Sequence, residues 1–201
     1  SASLGFRVHR FLRRRLHLLA TVGRTPYRAP DVEDLRTIEQ QLQQNGIALH
    51  DLRVNQEDWQ AFRALQAFPA DYHGGEAGGG GGEKQPEHFP SFTLLGLRAY
   101  RNTDLYVDIA ACGSPWVKYC VEALGLKAFA IDLEVPEHYR SLPCYLQGDA
   151  TRSPFASASV HGASLHCAFE MFYADQDLRL LDELARILAP GGKCVVVPLY
   201  L

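Results

Sequence analysis

Apolar residues recur with two different periods along this chain, and the change of period divides it. Near the start, Phe11, Leu12, Leu16, Leu19 and Val22 fall close to helical spacing, with Arg7, Arg10, Arg13, Arg14 and Arg15 between them. That pattern predicts a basic amphipathic helix over the first 23 residues or so. Leu35, Ile38 and Leu42 repeat the helical period behind Asp31, a good N-cap, with Asp34 in the first turn; Asn45-Gly46 is a stop signal. A second helix is predicted over Asn55 to Phe68, with Trp59, Phe62 and Leu65 on one face. Aromatic residues at that spacing belong to a core more often than to a ligand site.

After Asp104 the period shortens. Short apolar runs at Leu105–Ile109, Ala128–Ile131, Tyr145-Leu146, Val160–His166 and Cys194–Val197 read as strands. They alternate with helical segments at Pro115–Leu124, ended by Gly125, and at Asp175–Leu188. Strands alternating with helices predict an α/β fold, a mostly parallel Rossmann-like sheet flanked by helices. Ligands of such sheets bind beyond the carboxyl ends of the strands, where the strand order reverses.

Between the two zones lies a glycine run through Gly82 that has no side chains to bury. It predicts a linker over 73–90, between a helical region at 1–72 and the α/β domain at 91–201. A phosphate-binding loop is excluded, because no apolar strand precedes the glycines and no Gly-Lys-Ser/Thr ending follows.

Composition narrows the function classes. A net charge of −3 argues against nucleic acid as a partner, since that affinity rests on clustered basic residues. The N-terminal arginines suit either a solvated helix or, as the weaker reading, contact with an anionic membrane surface. No apolar run approaches the ~20 residues that span a bilayer. Five cysteines, Cys112, Cys120, Cys144, Cys167 and Cys194, form no Cys-x-x-Cys pair and no zinc-type cluster. They read as free thiols in a reducing compartment, which makes the cytoplasm the expected location. Ser1 and Leu201 have the look of cuts through a longer protein, with strands that complete such sheets lying beyond Leu201.

The candidate chemistry lies in a series of landmarks. Asp108-Ile109-Ala110-Ala111-Cys112-Gly113-Ser114-Pro115-Trp116 places an acid and a small-residue loop between a strand and a helix. Small side chains there let backbone amides and a helix N-terminus approach a ligand. Asp132 ends the second strand about 20 residues later, where an acid accepts hydrogen bonds from ribose hydroxyls; Glu134 is the fallback. Gly148-Asp149-Ala150 precedes Ser153-Pro154-Phe155, Val160 to Glu170 forms a strand and loop, and Leu181 to Lys193 is a helix with a Pro-Gly-Gly turn.

In this order the landmarks resemble the class I S-adenosylmethionine-dependent methyltransferases, over about the C-terminal half of the chain. The resemblance implies that S-adenosylmethionine is the cofactor, held by Asp108, Ala110, Cys112, Gly113, Ser114, Asp132, Asp149 and Ala150. It further implies that His166 is a general base or substrate contact, that Glu170 matches a frequent glutamate, and that His161 stands where the family often has an acid. Ala110 and Cys112 replace two usual glycines, so the loop is a degenerate one. The implied activity is methyl transfer to a small-molecule or sugar-type acceptor, with the helical N-terminal region as its lid or acceptor-binding element. The alternative is a catalytically degenerate domain that serves as a binding module. A dinucleotide-dependent enzyme is disfavoured because G-x-G-x-x-G is absent. No metal site is expected, and no motif names the acceptor or the oligomeric state.

Overall fold

The computed structural model of the chain describes residues 31–65, 67–68, 80–111 and 113–198. The basic helix expected in the first 23 residues lies outside them. The chain forms two units, residues 1–53 and 54–201. Within the first, α1 (Val32–Gln44) starts at a reciprocal cap: Asp31 accepts from the Glu33 and Asp34 amides, and Asp34 accepts from the Asp31 amide. Each such cap satisfies amides that have no helical partner, worth ~1 kcal/mol. Gly46, at φ +77°, turns the chain out of the helix.

The second unit opens with α2 (Gln56–Ala64), capped by Asn55, and α3 (Gly80–Leu95). The helix α3 takes in residues 80–90, which the glycine content predicted as linker. Glycine and the two prolines within it, Pro86 and Pro90, oppose a helix locally. Packing of His88, Phe89, Ser91, Phe92 and Leu95 into the core decides the outcome. Phe62 of α2 meets Phe89 and Phe92 with ring centroids 5.5 and 5.2 Å apart, and Trp116 at 5.8 Å. Trp59 lies against Phe89 at 5.2 Å, which makes it the core aromatic that its spacing implied.

Five strands follow: β1 (Leu105–Ile109), β2 (Lys127–Asp132), β3 (Tyr145–Gln147), β4 (Val160–His166) and β5 (Leu188–Val197). They form one parallel sheet in the order β3-β2-β1-β4-β5. The chain runs outward from β1 to β3, then crosses back to β4, so the order reverses between β1 and β4. Helix α4 (Trp116–Glu122) joins β1 to β2, and α5 (Gln176–Ile187) joins β4 to β5. The sheet and flanking helices are the Rossmann-like fold expected from the strand–helix alternation.

Alternation along β1 sorts the two cores. Tyr106 belongs to a cluster with Phe62, Phe68, Phe89, Phe92 and Trp116, whereas Leu105, Val107 and Ile109 pack with Leu180, Leu184 and Ile187 of α5. The Pro190-Gly191-Gly192 turn sits inside β5 instead of before it. Val160 pairs with Leu188 and Gly162 with Lys193, an advance of five residues on β5 against two on β4. Gly191, at φ +79°, lets the surplus bulge out while pairing resumes on either side.

A polar clamp ties α5 to the segment after β3. Glu183 Oε1 accepts from the Ser153 amide and hydroxyl at 2.7 and 2.6 Å, while Arg186 donates to both carboxylate oxygens at 2.8 and 2.7 Å. The Arg186 guanidinium, then the Ser153 donors, hold the Glu183 carboxyl down to about 2 against an ordinary 4.5. A carboxylate with a depressed folded-state pKa stabilises the fold fully above its ordinary range and loses that contribution as pH falls toward the lower value. Glu183→Gln is therefore expected to lower stability by ~1–2 kcal/mol at neutral pH. Denaturant titrations should show the difference from wild type narrowing between pH 4.5 and pH 2; a gap constant across that window contradicts the assignment.

Candidate functional site

The period of 2 that turns Tyr106 toward α3 and α4 turns Asp108 the same way. On the neighbouring strand, Ser164 is paired with Asp108 in register and His166 follows two residues on. These polar side chains therefore meet beneath α3 in a space closed to water: Asp108 is 1% exposed, and Ser164 and Ser91 are fully buried.

The hydrogen bonds among them run in one direction. Trp116 Nε1–H donates to Tyr106 Oη at 2.9 Å, Tyr106 lies 2.6 Å from Ser164 Oγ, and Ser164 Oγ–H donates to Asp108 Oδ1 at 2.8 Å. His166 Nδ1 lies 3.0 Å from the same Oδ1, and its Nε2 lies 2.8 Å from Ser91 Oγ. Asp108 is thus the acceptor at which a chain of donors ends, an arrangement in which each bond polarises the next. Burial, and next the Asp108 charge, push the Tyr106 phenol well above its usual range and keep it a donor. His88 stacks on His166 with centroids 3.7 Å apart, and burial followed by the His166 neighbour lowers its pKa well below 6.5.

The strand ends form the rim above this lattice. Ala110 and Cys167, the residues next after β1 and β4, both take left-handed backbone angles, φ +53° and +48°. A non-glycine residue there costs on the order of 1 kcal/mol, and strain of this kind concentrates at sites that use the local geometry. Ala110 N–H donates to Ile131 O at 2.8 Å. Gly113 has φ +77°, and a Cβ on it would stand 2.6 Å from Pro136 Cγ. Ser114 is buried, its amide bonded to Ala111 O at 2.8 Å and its carbonyl accepting from Tyr145 Oη at 2.6 Å. Cys112 lies outside the described residues.

Asp132 is half-buried at the end of β2, where Oδ1 accepts from the Glu134 amide at 3.0 Å. Asp149 is exposed and caps the short turn Ala150–Arg152 through the Thr151 amide and hydroxyl at 2.9 and 2.8 Å; Ala150 is buried. Glu170 is exposed on the turn Phe169–Met171 beyond β4. The small-residue loop, Asp132, Asp149 and Glu170 thus follow four successive strands on one edge of the sheet. His161 is at the opposite edge, with Nδ1 accepting from the Leu105 amide at 3.0 Å and Nε2 3.6 Å from Asp104.

Asp108 is enclosed in the lattice and supports the rim from below. Both nitrogens of His166 are engaged inside the protein, by Asp108 and Ser91, while Glu170 is the carboxylate open to solvent. His88, Ser91 and Tyr106 lie outside the landmarks, and Trp116 and Ser164 lie within them but were given no role. The alternation Gly162, Ser164, His166 on one face of β4 was the available signal.

Gly113→Ala is expected to destabilise the domain by ~1–3 kcal/mol, from the left-handed angle and the displacement of Pro136. Ala110→Gly, which removes a Cβ from a left-handed position, should leave the denaturation midpoint within ~0.5 kcal/mol of wild type. Equal effects of the two changes contradict this loop geometry.

Residues 107–196 match a family model described as a methyltransferase domain. No curated protein matches the chain. Among solved structures, a chain from the Haloferax volcanii complex between the Trm112 methyltransferase activator and a protein named as a methyltransferase is 25% identical; the match covers 56% of this chain and 52% of that one, with a TM-score of 0.42. Haemonchus contortus phosphoethanolamine N-methyltransferase 2, in complex with phosphomonomethylethanolamine and S-adenosylhomocysteine, is 20% identical over 58% of this chain and 28% of its own, at a TM-score of 0.45. Geranyl diphosphate methyltransferase in complex with S-adenosylmethionine is 18% identical over 53% and 46%, at 0.43. The chain spans about half or less of the length of these structures.

Proposed function

We propose that the chain, whose residues 107–196 match a methyltransferase-domain family model, works as a class I S-adenosylmethionine-dependent methyltransferase and transfers a methyl group to a nucleophilic oxygen or nitrogen of a small-molecule acceptor, a sugar-type compound among them. The observation that carries this reading is the rim itself: a small-residue turn after β1 and carboxylates after β2 and β3, all at the edge where the strand order reverses. This donor set fits the family's cofactor, whose ribose hydroxyls donate hydrogen bonds and whose methionine ammonium and sulfonium groups are cationic. Asp132 would accept from the ribose hydroxyls, Asp149 and the Ala150 backbone would meet the adenine, and Ala110 to Ser114 would face the methionine portion.

When bound, S-adenosylmethionine supplies an electrophilic methyl group on sulfur. The chain's own contribution is proximity and alignment, which suffices for an in-line displacement. An acceptor that must lose a proton needs a base in reach, and Glu170 is the solvent-facing carboxylate beyond β4. His166 holds Asp108 and Ser91 in place beneath the rim. The described thiols Cys120, Cys144, Cys167 and Cys194 are free, and burial raises all four, Cys167 to about 11 and Cys194 to about 12. Unreactive free thiols suit the reducing cytoplasm. Among the described residues, no helix is long and apolar enough to cross a membrane.

A second reading, a domain that keeps the fold without turnover, is favoured by the close approach of Pro136 to Gly113, which brings the loops after β1 and β2 together. Calorimetric titration of S-adenosylmethionine and S-adenosylhomocysteine separates the two. The proposal predicts micromolar binding that Asp132→Ala weakens at least ~10-fold, the loss of one or two hydrogen bonds to a charged acceptor. Absence of binding to folded protein at millimolar ligand favours the binding module.

A further inference from the structure

Two buried side-chain atoms lack a hydrogen-bond partner among the described residues: His88 Nε2 and Asp108 Oδ2. Both belong to side chains about 1% exposed, and a bare polar atom in such a place costs free energy that native proteins rarely leave unrecovered. Their chemistry is the same. His88 Nδ1 lies 2.8 Å from the Lys84 carbonyl, which can only accept, so the ring proton is on Nδ1 and Nε2 presents a lone pair. Oδ2 of a carboxylate likewise presents only lone pairs. A third such donor stands beside them. His166 Nδ1, which donates to Asp108 Oδ1 at 3.0 Å, becomes a ligand lone pair once the ring proton moves to Nε2, where Ser91 Oγ at 2.8 Å accepts it.

One ligand atom from each of His88, Asp108 and His166 lies within 4.8 Å of the other two. We propose that this cluster is a binding site for one divalent transition-metal ion, with zinc as the fitting representative. Two imidazoles and one carboxylate form a borderline donor set suited to zinc or ferrous iron and poorly suited to magnesium or calcium, which take oxygen ligands. The outer partners of a metal-binding imidazole are already present: the second nitrogen of His88 is held by the Lys84 carbonyl and that of His166 by the Ser91 hydroxyl. Charge points the same way. Among the described residues, His166 is the sole cationic type paired with the buried Asp108 carboxylate, and a divalent ion supplies the countercharge that a neutral water does not. A tetrahedral ion at ~2.0–2.2 Å from each ligand needs donor atoms roughly 3.3 Å apart, so the stacked His88 and His166 rings must turn toward a common point and close in on Asp108, with the fourth position taken by the second Asp108 oxygen or by a water carried in with the ion. Binding requires no net proton release, because the His166 ring proton moves from Nδ1 to Nε2.

The three ligands come from α3, β1 and β4, so the ion would fasten α3 across the two strands at the point of order reversal. The site is independent of the methyl-transfer reading, and its test uses no activity. The chain of residues 1–201 is stripped with chelator, loaded with zinc chloride, dialysed and assayed for metal per chain; cobalt(II) then serves as a visible reporter of coordination. Retention of one zinc per chain, a raised thermal midpoint and the intense absorption of four-coordinate cobalt support the site. His88→Asn keeps an amide donor for the Lys84 carbonyl while removing the ligand nitrogen, and it should weaken zinc binding at least ~100-fold. Folded wild-type protein that retains no zinc, a weak six-coordinate cobalt spectrum, or unchanged affinity in His88→Asn overturns the proposal. If His88→Asn does not fold, wild-type stoichiometry and the cobalt spectrum decide alone.

Discussion

A carboxylate buried at the centre of a parallel sheet is the constraint on which the rest of this domain depends. Removing Asp108 from water costs several kcal/mol unless donors replace its hydration. Trp116, Tyr106 and Ser164 deliver one directed chain of donors, and His166 delivers another. Those donors lie on α4, β1 and β4, and Ser91 of α3 closes the set behind His166. Satisfying one carboxylate therefore fixes the register of two strands and the placement of two helices against them.

That lattice explains how a strained rim can persist above it. Ala110 and Cys167 hold left-handed angles directly after β1 and β4, the two strands the lattice joins. Local strain of this kind survives where surrounding structure over-determines it. The aromatic layer of Phe62, Phe89, Phe92 and Trp116 on one face and the aliphatic layer under α5 on the other supply that rigidity. The loops of the rim are thus positioned by the sheet, while the carboxylates Asp149 and Glu170 stay in solvent.

Much of the fold was legible because β-strands and amphipathic helices write their periods into sequence. β1 and β4 have the bounds their apolar runs imply, and α5 differs from its predicted span only at the ends. The failures share a cause. α3 carries glycine and two prolines, so its local propensity argues for a linker, and only long-range packing of His88, Phe89 and Phe92 makes it helical. The Pro190-Gly191-Gly192 turn reads as a chain reversal, yet the sheet absorbs it as a bulge because β4 offers partners on both sides. The site divides similarly. The positions of Asp132 at the end of β2 and Asp149 just past β3 could be read locally. His88, Ser91 and Ser164 enter only through contacts 56 to 75 residues apart or through the misread helix, which no local pattern encodes.

The proposed cofactor site is the carboxyl edge of β1, β2 and β3, above the Asp108 lattice. Amide chemical-shift mapping with 15N-labelled protein and S-adenosylhomocysteine tests it most directly. The predicted result is a set of shifts concentrated at Ala110 to Ser114, Asp132 to Glu134 and Gly148 to Ala150. Shifts concentrated instead at the opposite edge, around Tyr100, His161 and Gly191, contradict the claim.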